Sequence, residues 1–165
     1  MGGGDAIWLD PNAAAEFAVT KLPKALAEIR ESLNAEGVDM IAQPSAGRRK
    51  KLLLADMDST MIRQECIDEL AVAAGIGPQV SEITARAMNG ELDFDGALRA
   101  RVALLKGLPE TVIADVLASR ITMMPGGATL VATMKANGAY AALVSGGFTA
   151  FTQAVAAKLV FDEQR

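Results

Sequence analysis

The sequence predicts an α/β fold in which a parallel, Rossmann-like sheet is interrupted by an inserted helical bundle. Two short apolar runs, at 52–55 and 139–144, each end in a polar turn and precede a helical pattern, as buried parallel strands do. Because a strand, a crossover and a second strand normally join in a right-handed parallel arrangement, the two runs are expected in one sheet. Four consecutive helical patterns between the runs predict the insert.

The first 47 residues are predicted to form an N-terminal appendage. Apolar residues at helical spacing predict a helix over Pro23–Glu36, and Gly37 is a plausible C-cap. An extended run is expected over Val38–Ala42. We predict that residues 48–74 and 121–165 form the α/β core and that residues 75–120 form a helical cap inserted into it.

The elements of the core and insert follow from apolar spacing and from the positions of proline and glycine. In chain order they are the strand Leu52–Ala55, the helices Met61–Ala74, Pro78–Met88, Asp93–Lys106 and Pro109–Ser119, the strand Ile121–Met124, a helix from Pro125 to Asn137, the strand Ala139–Val144 and the helix Phe148–Leu159.

Length, composition and charge exclude several classes of protein. A chain of 165 residues with 51% hydrophobic residues is long enough for one core of ordinary size. Its net charge of −4 gives no general attraction for polyanions, so we expect no nucleic-acid partner. One cysteine, Cys66, cannot form an internal disulfide, and the absence of histidine excludes His-dependent triads and zinc sites.

No membrane partner is expected either. The first ten residues lack a basic segment followed by an apolar run, so we expect a cytoplasmic protein. The stretch Ala136–Ala157 carries no charge, but it contains several glycine and hydroxyl residues and splits into a strand-like and a helix-like half. It therefore predicts core elements rather than a membrane span.

The sharpest local feature is a pair of carboxylates, Asp56 and Asp58, where the first apolar run ends. Ligands of open α/β sheets bind outside the carboxyl ends of the strands. Two neighbouring carboxylates repel each other unless a cation or a proton lies between them, and such a pair suits Mg²⁺. One of them could also attack phosphorus. The alternative is a turn in which Asp58 or Ser59 caps the following helix.

A second feature, Ser145-Gly146-Gly147, follows the second core strand. Glycines let backbone amides approach an anion closely, the helix N-terminus contributes its positive dipole end, and the serine hydroxyl adds a donor. The pattern is that of a phosphate site, although an ordinary turn between a strand and a helix can have the same sequence.

Together the motifs resemble those of the haloacid-dehalogenase-like (HAD) hydrolases, and within them those of the phosphoserine phosphatase family. The resemblance runs nearly continuously from about Lys50 to Leu159. It is carried by the segments Asp56–Thr60 (DMDST), Gln64–Leu70 (QECIDEL), Ala87–Phe94 (AMNGELDF), Leu98–Val102 (LRARV) and Val144–Phe148 (VSGGF).

The resemblance implies a HAD-like core with an inserted cap, and a Mg²⁺-dependent hydrolysis of L-phosphoserine, the last step of serine biosynthesis. It implies that Asp56 is the nucleophile, that Asp58 is the general acid and base, and that both carboxylates belong to the Mg²⁺ site. It places Ser145 and Gly146 on the phosphoryl group. It further implies that four cap-side residues recognise the amino-acid part of this small-molecule phosphomonoester: Glu65, Met88, Phe94 and Arg101.

The sequence departs from the family pattern after the second core strand. The family continues with a lysine that offsets negative charge and with an acidic loop that completes the metal site, and neither follows here, since Lys158 lies at the wrong place. We therefore expect an incomplete core with an unpaired sheet edge, through which copies of the chain could associate. The alternative function is a non-catalytic fragment that binds phosphate or a partner without turnover. A receiver-like module is disfavoured by the large insert.

Overall fold

The computed structural model describes residues 4–165, which form two compact units divided after Lys50. The first unit contains strand β1 (Ile7–Asp10), strand β2 (Ala14–Glu16) and helix α1 (Leu26–Ala35). The two strands pair antiparallel, and the Arg48 guanidinium forms an ion pair with the Glu16 carboxylate. None of the described residues in this unit is buried.

Three features of the first unit differ from the sequence prediction. The hairpin was not predicted, because its strands are short and lack a clear alternation of apolar and polar residues. The helix begins three residues after Pro23, whose carbonyl accepts a hydrogen bond in the turn that precedes it. The run Val38–Ala42 forms no strand.

The second unit combines a small parallel sheet with six helices. Its elements are β3 (Leu52–Ala55), α2 (Cys66–Ala73), α3 (Gly77–Met88), α4 (Phe94–Leu104), α5 (Thr111–Ser119), α6 (Gly127–Ala136), β4 (Tyr140–Leu143), α7 (Thr149–Leu159) and β5 (Glu163–Gln164). The sheet order is β3-β4-β5 with both pairings parallel. The predicted α/β class, with a parallel sheet and a helical insert, is confirmed. The short strand β5 was not predicted.

Strand β3 of the sheet is buried on one face only. Ala55 of β3 and Leu143 of β4 pair in register and lie buried against Phe151 of helix α7. On the other face of the same strand, Leu52 and Leu54 are 52% and 61% exposed. The prediction that this apolar run is buried on both faces is therefore wrong, because β3 is an edge strand of the described sheet and only alternate side chains point to the core.

The segment before helix α2 also differs from the prediction of a helix over Met61–Ala74. The amides of Thr60, Met61 and Ile62 all donate to the Met57 carbonyl, and the chain then forms an antiparallel bridge between Ile62 and Met123. The Arg63 amide donates to the Thr122 carbonyl, and the Met61 carbonyl accepts from the Met124 amide. Because these bonds to a distant segment use backbone groups that a helix would need, α2 begins only at Cys66. The predicted strand over Ile121–Met124 is reduced to this single bridge.

Pro125 was predicted to occupy the first position of this helix, but it lies before helix α6. Gly126 is the N-cap residue and has a φ of 85°, a left-handed conformation that glycine adopts without strain, so the helix begins at Gly127. The predicted boundaries at 47/48, 74/75 and 120/121 stay predictions. No helix among residues 4–165 is long and apolar enough to cross a membrane.

Candidate active site

A polar cavity of about 260 Å³ lies at the carboxyl ends of β3 and β4. It brings together seven of the eight residues that the sequence proposes for the site: Asp56, Asp58, Glu65, Phe94, Arg101, Ser145 and Gly146. The eighth, Met88, does not line it. Met88 is the last residue of helix α3, and its side chain is 84% exposed, so its proposed role in the site is not supported by the structure.

The loop after β3 is fixed by a buried methionine between the two carboxylates. Met57 is fully buried, and its carbonyl accepts three backbone hydrogen bonds that close the turn. Its amide donates to Asp56 Oδ1 at 2.6 Å. The alternation places Met57 in the core while Asp56 and Asp58 both line the cavity.

Asp58 has one satisfied and one unsatisfied carboxylate oxygen. The backbone amide of Cys66, at the start of helix α2, donates to Asp58 Oδ2 at 3.3 Å. Asp58 Oδ1 is buried and has no hydrogen-bond partner among the described residues. Burial raises the pKa of this carboxyl above its ordinary value, Glu65 and Asp56 raise it further by charge repulsion, and hydrogen bonds from Cys66 oppose the rise. A proton is therefore held more tightly on Asp58 than on a solvated aspartate.

The Asp58 carboxylate accepts a hydrogen bond from the amide of Cys66, the first residue of α2. The alternative interpretation of Asp58 as a helix cap is therefore partly correct. A cap alone needs one oxygen, and it does not explain why the second oxygen is buried without a partner. An unsatisfied buried polar atom at the carboxyl ends of the strands indicates a place for a ligand, an ion or a proton.

The Ser145-Gly146-Gly147 loop forms the opposite wall of the cavity. The Gly147 amide donates to Ser145 Oγ at 3.0 Å, which leaves the serine hydroxyl hydrogen free to donate elsewhere. A Cβ atom on Gly147 would lie 2.8 Å from Met57 Cε and 3.9 Å from Asp58 Oδ2, so this glycine lets the two loops approach closely. A Cβ on Gly146 would lie 3.9 Å from Phe94 Cζ, an ordinary contact.

Two side chains of helix α4 and Glu65, the residue before helix α2, complete the wall. Arg101 of α4 bonds the Ala97 carbonyl through Nε at 3.3 Å and is the sole basic residue among the described residues that line the cavity. Phe94 is 70% exposed at the start of α4. Glu65 accepts a hydrogen bond from the Ser59 hydroxyl at 2.6 Å.

The sequence reasoning missed other lining residues, chiefly Cys66, Ile67, Leu98 and Phe148. They belong to apolar helix positions, which by their pattern indicate a core rather than a site. Burial and hydrogen bonding to Asp58 raise the pKa of the Cys66 thiol, so the thiol stays protonated. The buried, protonated thiol of Cys66 is therefore a packing group rather than a nucleophile.

A larger cavity of about 480 Å³ lies between the ends of α4 and α5. Its lining is apolar apart from Lys106 and Glu110, and it contains no pair of carboxylates. The smaller cavity, where charged and polar groups converge, is therefore the candidate site.

The carboxylates fit part of a Mg²⁺ site. Mg²⁺ commonly binds one or two carboxylates and completes its shell with water and phosphate oxygens, and Asp56 and Asp58 supply hard oxygen donors of that kind. Within residues 4–165 there is no cluster of three or more acidic, histidine or cysteine residues that could hold a metal by itself.

Comparison with known proteins identifies this arrangement. The model of the haloacid dehalogenase-like hydrolases matches residues 53–164, which include both loops of the cavity. The chain belongs to the haloacid dehalogenase-like hydrolase family. The HAD-like core that the motifs predicted is therefore confirmed.

Relatives of this HAD hydrolase are similar over much of the chain. A phosphoserine phosphatase of Archaeoglobus fulgidus is 44% identical over 153 residues, which are 89% of this chain and 44% of that protein. One from Streptomyces coelicolor is 43% identical over 160 residues, which are 92% of this chain and 38% of that protein. The chain thus spans less than half the length of these relatives.

Solved structures agree with the family assignment. A HAD family hydrolase of Salmonella enterica serovar Typhi matches 92% of this chain and 53% of its own with a TM-score of 0.80 at 32% identity. A substrate-bound phosphoserine phosphatase matches 71% of this chain and 55% of its own with a TM-score of 0.64 at 39% identity.

Proposed function

We propose that this HAD hydrolase takes part in the hydrolysis of a phosphomonoester through a phosphorylated Asp56. The observation that carries the proposal is the partnerless, buried oxygen of Asp58 in a carboxyl whose pKa is raised, within the cavity that Asp56 and Ser145 share. A carboxyl whose pKa is raised by burial can serve as a general acid, while the neighbouring carboxylate serves as the nucleophile.

In the first half-reaction an Asp56 oxygen forms a bond to phosphorus while the bond from phosphorus to the ester oxygen breaks. Asp58 donates its proton to the departing ester oxygen, which leaves as an alcohol. The Ser145 hydroxyl and the amides at the start of α7 donate to the phosphoryl oxygens and hold the group in place.

In the second half-reaction Asp58, now a carboxylate, accepts a proton from water. The water oxygen forms a bond to phosphorus while the bond from phosphorus to the Asp56 oxygen breaks. The electron pair of the broken bond returns to the Asp56 carboxylate, and phosphate leaves. Asp58 regains its proton and the cycle closes. The same residue acts as acid and then as base, which requires a carboxyl that exchanges its proton near neutral pH.

Mg²⁺ is part of this proposal, held by oxygens of Asp56 and Asp58. When bound, it neutralises the negative charge that the nucleophile and the phosphoryl group bring together. Burial raises the pKa of Asp58 most, and repulsion by Glu65 and Asp56 adds to the rise; this concentration of negative charge supports a cation at this place.

We propose L-phosphoserine as the substrate. Arg101 can bind a substrate carboxylate through two parallel hydrogen bonds, and the carboxylate of Glu65 can bind an ammonium group. Both line the cavity, and Phe94 lies beside Gly146 where it can shield the phosphoryl group from water. The phosphoserine phosphatases among the relatives support this choice. In the cytoplasm this reaction is the last step of serine biosynthesis, and we propose that role and location for the parent protein.

The second candidate is binding without turnover. It is favoured by the small donor set, since Arg101 is the one basic residue among the described lining residues and the carboxylates do not form a complete metal cluster. A chain of this kind binds L-phosphoserine or phosphate but leaves the ester intact.

The deciding experiment measures Mg²⁺-dependent phosphate release from L-phosphoserine by the purified 165-residue chain. Asp56→Asn, which is nearly isosteric but is no nucleophile, is the control. We expect release that disappears in the variant and in EDTA. Release that survives Asp56→Asn contradicts the proposed mechanism, and L-phosphoserine binding without release selects the second candidate.

We also propose that copies of the chain associate through the edge of strand β3. The exposed Leu52 and Leu54 lie on this strand, and its outer backbone groups have no sheet neighbour among residues 4–165. Light scattering should give a mass above that of a monomer, and Leu54→Lys should return it toward the monomer. A monomeric parent chain excludes the association.

A further inference from the structure

Ser59 combines an unusual backbone conformation with a short hydrogen bond to Glu65. It has a φ of 52°, a left-handed conformation that residues other than glycine seldom adopt. Its amide donates to the Gln64 carbonyl at 3.2 Å, so the turn from Ser59 to Gln64 is closed on itself. Its hydroxyl donates to Glu65 Oε1 at 2.6 Å.

The geometry of this turn determines where the Glu65 carboxylate lies. An exposed glutamate normally samples many rotamers, and fixing one of them costs conformational entropy. A hydroxyl donor to an ionised carboxylate forms a strong, short bond, and it occupies Oε1 while Oε2 stays available. Glu65 is also the residue immediately before helix α2, so its backbone is already fixed.

We propose that Ser59 is a positioning residue that orients Glu65 for a ligand ammonium group. This inference rests on the proposed function, because it takes Glu65 as the ammonium-binding residue of the cavity. Ser59 acts only through Glu65. Its influence is therefore restricted to ligands that carry an ammonium group, and the phosphate and carboxylate contacts of the cavity do not depend on it.

The test compares dissociation constants for three phosphomonoesters measured by calorimetry on the purified chain. L-Phosphoserine has an ammonium and a carboxylate, O-phosphoethanolamine has the ammonium alone, and 3-phosphoglycerate has the carboxylate without the ammonium. Two variants remove the hydroxyl, Ser59→Ala and Ser59→Gly. Glycine also relieves the left-handed backbone, so an effect shared by both variants belongs to the hydroxyl and not to the turn.

Ser119→Ala is the matched control. Its hydroxyl donates to the Asp115 carbonyl at 2.6 Å in a similarly exposed position on helix α5, outside the residues that line the cavity. It removes a hydrogen bond of the same length without touching Glu65.

We expect both Ser59 variants to bind L-phosphoserine and O-phosphoethanolamine about fivefold more weakly, the size of one net hydrogen bond, with 3-phosphoglycerate unchanged. In a Glu65→Gln background the Ser59→Ala change should lose its effect on the ammonium ligands. Equal weakening for all three ligands, or none, overturns the positioning role. A parent chain that binds L-phosphoserine no better than 3-phosphoglycerate instead overturns the proposed substrate, and thereby the premise.

Discussion

Replacing Asp58 with asparagine should make the protein more stable at neutral pH. The burial that raises the pKa of Asp58 means that the folded chain holds the proton more tightly than the unfolded chain, whose value is 3.8. The free energy of unfolding therefore falls as pH rises through the interval between the unfolded and the folded pKa, and it stays lower above it. Asparagine keeps the shape and the acceptor for the Cys66 amide but carries no charge.

The size of the gain follows from the two oxygens. A buried hydrogen-bond acceptor without a partner costs about 1–3 kcal/mol, and more when it is charged. Only Oδ1 of Asp58 lacks a partner, since Oδ2 accepts a hydrogen bond from Cys66. Because the residue is also partly exposed, solvent screening places the gain in the free energy of unfolding near the low end, at about 1 kcal/mol. For a chain of this size that corresponds to an increase in Tm of about 2–4 °C.

The assay is thermal unfolding of the parent chain and of Asp58→Asn at a series of pH values, in EDTA so that no cation compensates the charge. The difference in Tm should be largest near pH 7 and should vanish as the pH falls below the unfolded pKa, where Asp58 is neutral in both states. A difference that is independent of pH, or a less stable variant at pH 7, refutes the reasoning.

Three further substitutions test the packing and the site. Gly147→Ala places a Cβ 2.8 Å from Cε of the fully buried Met57, so it should lower the free energy of unfolding in urea by about 1–3 kcal/mol. Gly146→Ala should stay within about 0.5 kcal/mol of the parent, and equal losses for the two variants contradict this packing. Phe151→Ala removes a fully buried ring and should cost about 3–5 kcal/mol, and a loss below about 1 kcal/mol would mean that this ring does not anchor the sheet. Arg101→Lys keeps the charge but loses the two parallel hydrogen bonds to the ligand carboxylate, so calorimetry should show about tenfold weaker binding of L-phosphoserine. Binding of O-phosphoethanolamine, which has no carboxylate, should not change, and a loss shared by both ligands argues against carboxylate recognition.

Much of the candidate site follows from local sequence. Asp56 and Asp58 directly follow an apolar run, and Ser145-Gly146-Gly147 directly follows another. Since parallel strands end at the same edge of a sheet, adjacency in space follows from two local patterns and one topological rule. Helix α3 was likewise predicted to within one residue, because Pro78 and Gly90 delimit its apolar spacing.

Other features depended on contacts between distant parts of the chain. The loop before α2 was predicted as helix because its residues have helical spacing, but its backbone groups bond to the distant segment around Met123 instead. Likewise, Leu52 and Leu54 are apolar in sequence but exposed, because exposure depends on which elements cover a strand and not on the strand itself.

The sequence by itself determined the class of fold and the chemistry available to it: the Asp56 and Asp58 carboxylates, a small hydroxyl-and-glycine loop, Arg101, and no histidine. Tertiary structure alone decided that burial raises the pKa of Asp58, that Met88 lies outside the cavity, and that the Ser59 hydroxyl donates to Glu65. The reason is physical: residue type and spacing are local properties, whereas desolvation and hydrogen-bond partners depend on which distant groups the folded chain brings within a few ångströms.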